Sequence, residues 1–178
     1  MSNPTDGVAS RPALPRGLAL ALAAAVSAGG LFLLAPDKAG AQGQAPQESG
    51  AAVWAKAACS NCHGNLGAGD GDPAYPQAPS LRDARLSRDQ LQETVACGRP
   101  GTPMPFNLAG AYTETACYGL PLGKPPEVIT RGAGLSAEQL NLLVDFLTKN
   151  VVGKTNITRE NCALFFDGNA NAPLCRQF

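Results

Sequence analysis

The chain has 178 residues, with fourteen Lys plus Arg against fourteen Asp plus Glu, so its formal net charge is zero. That balance leaves no basic field for holding a nucleic-acid backbone, and none for gripping an anionic bilayer. The length suits one domain with a real core and leaves no room for a separate catalytic domain.

In chain order, the first feature is an export segment. Arg11 and Arg16 precede the uncharged stretch Gly17 to Pro36, and Ala39-Gly40-Ala41 then offers a small-x-small cleavage site. Residues 1–41 are therefore expected to be a signal peptide or an N-terminal membrane anchor. Twenty uncharged residues in a helix span about 30 Å, enough to cross a bilayer. The Ala-rich middle with Gly29 and Gly30 is less apolar than most anchors, which favours cleavage. A membrane tether through residues 17–36 is the other outcome. Either one places residues from 42 onward outside the cytoplasm, in the periplasm or on the outer face of the cytoplasmic membrane.

Ser49, followed by Ala51, Ala52, Val53, Trp54, Ala55, Ala57 and Ala58, reads as a capped helix. It runs into Cys59-Ser60-Asn61-Cys62-His63, and His63 is the only histidine. C-x-x-C-H is the attachment signature of a c-type haem. Two thiols must reach the vinyl groups along one porphyrin edge while an imidazole reaches the iron beneath it. Residues three and four apart on a helical turn share one face, so the spacing brings the three groups together. Zinc or dithiol exchange are the rival readings of a C-x-x-C pair. Zinc would need two further ligands at similar spacing, and the chain has no second C-x-x-C.

A loop rich in Gly and Asp follows, Gly64 to Gln77. Asp70, Asp72 and Asp83 read as solvated, and Trp54 and Tyr75 as packing residues. Ser87-Arg88-Asp89-Gln90 has the capping-box pattern, with Leu86 and Leu91 placed for a hydrophobic staple and Gly98 as terminator. Next comes Arg99-Pro100-Gly101-Thr102-Pro103-Met104-Pro105-Phe106, where prolines dictate an extended strap. With His63 spent, the remaining strong neutral axial ligand is a methionine thioether. Of the two methionines, Met1 belongs to the export segment, which leaves Met104. Its alternative is an apolar gap-filler under a loop.

About thirty residues, Pro105 to Gly134, separate the strap from the last long helix. That helix starts at a second capping box, Ser136-Ala137-Glu138-Gln139, and Leu140, Leu143, Val144, Leu147 and Val151 continue at helical spacing until Gly153. Strand patterns are nearly absent. Cys97, Cys117, Cys162 and Cys175 form an even set that an oxidising compartment favours as disulfides. Four cysteines allow three pairings. The local one, Cys97 with Cys117 and Cys162 with Cys175, is expected. Asn156-Ile157-Thr158 matches a glycosylation acceptor, but so short a match carries little.

The ordered set of N-terminal helix, C-x-x-C-H, Gly-rich loop, Pro79-Ser80-Leu81, middle helix, Met strap and amphipathic last helix resembles a class I, mono-haem c-type cytochrome over about residues 49–152. The resemblance implies an all-α fold, short helices wrapped round one covalently attached haem c. Here it would be extended by a long Met-side loop and a disulfide-bearing tail. The cytochrome domain would span 42–155 and the C-terminal extension 156–178. By similarity the Pro79 carbonyl would accept the Nδ1 proton of His63, Leu81 would pack on the haem, and Arg99 would be a candidate partner for a propionate.

An iron held by His63 and Met104 has no open position, so the expected function is one-electron transfer rather than catalysis. Redox partner proteins, a respiratory complex or a dehydrogenase, are the expected partners. The Pro105–Gly134 insertion, pinned by Cys97 to Cys117, is expected to border the haem edge and shape their docking face. The alternative is a ligand-binding haem protein, for a gas or peroxide, in which the sixth ligand is labile. Peroxidase chemistry is disfavoured because no distal histidine is present.

Overall fold

A computed structural model gives the fold over residues 48–178. The export segment with its cleavage site, and the tether through residues 17–36, lie outside the described residues. Among the described residues, no helix is long and apolar enough to cross a membrane.

Among the described residues, helices are the main regular elements. In order come α1 (Gly50–Lys56), α2 (Cys59–His63), α3 (Arg88–Cys97), β1 (Phe106–Leu108), β2 (Arg131–Leu135), α4 (Ala137–Asn150), α5 (Arg159–Ala163) and a 3₁₀ turn, Pro173–Gln177. The helix starts follow from short polar side chains. Ser49 accepts from the Ala52 amide at 3.0 Å, and Thr158 accepts from the Asn161 amide at 3.2 Å. Ser87 with Gln90, and Ser136 with Gln139, close complete capping boxes at α3 and α4. Each cap satisfies amides that the helix itself leaves orphaned and contributes about 1 kcal/mol.

The i, i+3, i+4 stripe of α4, Leu140, Leu143, Val144 and Leu147, is buried and continues to Val151. It packs on Val53 and Trp54 of α1 and on Leu91, Val95 and Ala96 of α3. Gly50 makes the first of these contacts possible, because a Cβ there would land on the Leu142 carbonyl and the Phe146 Cβ. The two helices can therefore approach at their backbones.

The all-α expectation needs one correction. β1 and β2 form a short parallel pair, with Phe106 opposite Arg131 and Leu108 opposite Leu135, and with an irregularity between them. Neither segment reads as a strand alone. β1 has three residues beside prolines, and β2 holds Gly132 and Gly134, residue types that strands disfavour. What sets them is buried Asn107, whose Nδ2 donates to the Val95 carbonyl and whose Oδ1 accepts the Ala133 amide. The long insertion thus has ordered ends, and Phe106, Ala111, Tyr112, Cys117 and Ile129 carry it into the main core.

Disulfides join Cys97 to Cys117 and Cys162 to Cys175. The second lies in a small cluster with Leu66 and Ala172. The tail therefore packs on the loop that follows the C-x-x-C-H turn. Arg82, 3% exposed, reinforces this join: its Nε donates to the Leu66 carbonyl at 2.8 Å and its Nη1 to the Lys154 carbonyl at 3.0 Å. Tyr75, read from sequence as a packing residue, is exposed, since the prolines flanking its loop hold that stretch away from the core.

Candidate haem site

α2 is a single helical turn, and its ends are set by backbone conformation. Ala58 adopts φ 54°, a left-handed conformation that breaks α1 from α2, and Gly64 at φ 79° ends the turn. Of the last four carbonyls of so short a helix, its own cap meets only that of Ser60, through the Gly64 amide at 2.9 Å. The Gly-rich loop meets the other three. The Asp72 amide donates to the Asn61 carbonyl at 2.8 Å, Ala78 to Cys62 at 3.2 Å, and Gly69 to His63 at 2.8 Å. This wrapping requires small residues, because a Cβ on Gly71 would meet the Asn61 and Cys62 carbonyls. Gly71 is thus explained by the turn it covers, whereas Gly69 lies against the Ser80 backbone and Gly67 against Val151.

Cys59, Cys62 and His63 all stand at intermediate exposure on this turn. Cys59 and Cys62 are free while the other four cysteines are paired. Burial pushes the Cys59 thiol up to about 12, so it stays protonated near neutral pH. The His63 Nδ1 lies 3.1 Å from the Pro79 carbonyl oxygen. A carbonyl can only accept, so Nδ1 carries the proton and Nε2 keeps its lone pair. Burial lowers the His63 pKa; the Pro79 contact opposes this, and the nearby Arg99 charge adds to the lowering. The neutral, coordinating form of the ring is thereby favoured. Trp54 packs beside it, ring centroids 6.2 Å apart, with its buried Nε1 lacking a partner among the described residues.

The strap lies beyond α3. Gly98, at φ 66°, lets the chain turn back against the Pro105 backbone, which a Cβ would strike. The Arg99 amide donates to the Met104 carbonyl at 3.1 Å, closing a tight loop with half-buried Met104 at its far end. Arg99 is exposed and lines a groove of about 590 Å³ with Thr94, Pro100, Thr102, Tyr118 and Leu120. Leu81 is half-buried against the main core, and its amide donates to the Gly67 carbonyl at 2.9 Å. The structure therefore brings His63 and Pro79 into direct contact, sets Leu81 against the Gly-rich loop, and places Arg99 and Met104 together on the strap. Sequence reasoning did not find the role of the loop amides or the Trp54 contact with His63. Only the density of glycines hinted at the first, and nothing local hinted at the second.

These residues fit a covalently attached porphyrin. Two unpaired thiols and an imidazole whose Nε2 keeps its lone pair share one turn, and a second segment carries a thioether. Among the described residues no group of three or more His, Cys, Asp or Glu could hold a bare metal ion. The family model described as cytochrome c oxidase, cbb3-type, subunit III matches residues 45–115, a span that includes α1, α2, α3 and the Met104 strap. No curated protein and no solved structure matches the chain.

Proposed function

From a c-type cytochrome domain over residues 45–115, an electron carrier with covalently attached haem c rather than an enzyme, we propose a closed, six-coordinate site. In it Cys59 and Cys62 would hold the porphyrin, His63 Nε2 and the Met104 thioether would ligate its iron, and the chain would pass single electrons. When bound, the haem supplies the change between ferric and ferrous iron, and Met/His ligation raises its potential. The Pro79 carbonyl fixes the His63 tautomer and ring plane and increases the ring's basicity. Leu81 covers the porphyrin face, and Arg99 offers a guanidinium to a propionate. The partners are a respiratory complex or a dehydrogenase on the exported side of the cytoplasmic membrane. The Pro105–Gly134 insertion borders the site and shapes their docking.

The observation that carries this reading is the Nδ1 contact to Pro79, which aims the one histidine's other nitrogen away from the loop. A visible spectrum of the exported protein tests it. Wild type is expected to show the thioether-to-iron band in the ferric state and no carbon monoxide adduct in the ferrous state. Met104→Ala is expected to lose the band, bind carbon monoxide stoichiometrically and fall in potential. Ready carbon monoxide binding by wild type would instead indicate a ligand-binding haem protein.

A further inference from the structure

The strap 98–106 is hydrogen-bonded at three points to residues 118–130 of the insertion. The Tyr118 hydroxyl donates to the Gly98 carbonyl where the strap begins. In its middle the Gly101 amide donates to the Val128 carbonyl at 3.1 Å. Where it ends the Phe106 amide donates to the Thr130 carbonyl at 3.1 Å. The insertion is itself anchored on the last turn of α3. The Tyr112 hydroxyl donates to the Cys97 carbonyl at 2.9 Å, the Tyr118 amide donates to Glu93 Oε1 at 2.9 Å, and Cys97 is bonded to Cys117. Tyr112 and Tyr118 hold positive φ, 67° and 54°, which bulky residues seldom adopt. Backbone strain at non-glycine residues persists where surrounding contacts enforce it. Here each of the two residues makes a hydroxyl bond to an orphan carbonyl at the end of α3.

We propose that the insertion is a clamp on the sixth ligand, with Tyr118 as its positioning residue. It holds the strap at its start, middle and end, so that the Met104 thioether is not displaced when the iron changes charge or an outside ligand competes. This rests on Met104 being the axial ligand.

The test uses the holoprotein and imidazole as the competing ligand. Tyr118→Phe removes one hydroxyl from a side chain that is 41% exposed, and so leaves packing intact. Losing one such hydrogen bond raises the population of the released strap about fivefold. Imidazole affinity of the ferric protein is expected to rise by about that factor, and amide hydrogen exchange at Gly101 and Phe106 to quicken similarly, while α4 amides stay as in wild type. Lys124→Ala, on the same insertion but paired only with exposed Glu127, is expected to change neither. Unchanged imidazole affinity and strap exchange in Tyr118→Phe, with the thioether band present in wild type, would overturn the clamp and leave the ligation standing. Quickened exchange shared equally by α4 would also overturn it, as general loosening. A wild-type protein lacking the band would remove the ligation and the clamp together.

Discussion

Trp54 and Phe165 meet edge to face, ring centroids 6.1 Å apart, and this contact joins α1 to the C-terminal tail. Phe165 also stands 5.0 Å from Phe146 of α4, again edge-on. The ring beside His63 is therefore backed by Phe165, more than a hundred positions later in the chain. Such pairs add roughly 0.5–1.5 kcal/mol each beyond the area they bury. Phe165→Ala is expected to destabilise the protein by about 2 kcal/mol, below the range for a fully buried ring because Phe165 is only partly covered. Phe165→Leu should cost less than half as much. Denaturant midpoints of the two variants check this, and equal small losses would mean the tail packs passively.

Gly50 is expected to tolerate no side chain. Alanine is the better helix former, by about 1 kcal/mol within a helix, but here its Cβ meets the Leu142 carbonyl and the Phe146 Cβ. Overpacking of a fixed backbone contact costs about 1–3 kcal/mol, so the contact outweighs the propensity. Gly50→Ala should lower the unfolding midpoint, and a rise would show that α1 and α4 can separate without loss.

Cys59 in the haem-free chain should be a slow nucleophile. The thiolate is the reactive form, and burial holds the thiol up at about 12 against an ordinary 9.0. At about pH 8 this leaves roughly a thousandth of the thiolate of an unshifted thiol. Alkylation with iodoacetamide, followed by peptide mass mapping, should therefore label Cys59 far more slowly in the folded haem-free chain than after unfolding. Rapid labelling of the folded chain would contradict the burial.

Glu48 supplies a pH dependence. Its pKa is lowered, first by the hydrogen bond from Gln139 Nε2 at 2.8 Å, against the opposing effect of burial and with help from Lys56. A carboxylate depressed in the folded state contributes stability that is complete above its unfolded pKa and is lost as pH falls through the folded value. Between about pH 5 and pH 3, wild type should therefore lose more stability than Glu48→Gln, which has no charge to lose. Urea midpoints of both proteins across that interval check the sign; parallel curves would remove Glu48 as the source.

Legibility followed the range of the interactions. The C-x-x-C-H turn, both capping boxes and the α4 stripe were readable because each depends on residues three or four apart. The parallel β1–β2 pair was not, since Phe106–Leu108 and Arg131–Leu135 look like loop when read alone and become strands only when Asn107 bridges them to Val95 and Ala133. Tyr75 was misread for the complementary reason: aromatic character suggests burial, but its proline-bound loop presents it to solvent.

By itself the sequence determined which groups are on offer for a haem site: one histidine, a pair of thiols at helical spacing and a single methionine in the described chain, and the spacing of the first three is local. Tertiary structure alone decided what surrounds those residues: the loop amides that cap α2, the insertion bonded to the Met104 strap, and the tail behind Trp54. Those contacts pair groups with no mutual pattern in sequence. Arg82 and Lys154 are 72 residues apart, Glu48 and Gln139 are 91 apart, and each pair is defined only when burial leaves a carbonyl or carboxylate in need of a donor.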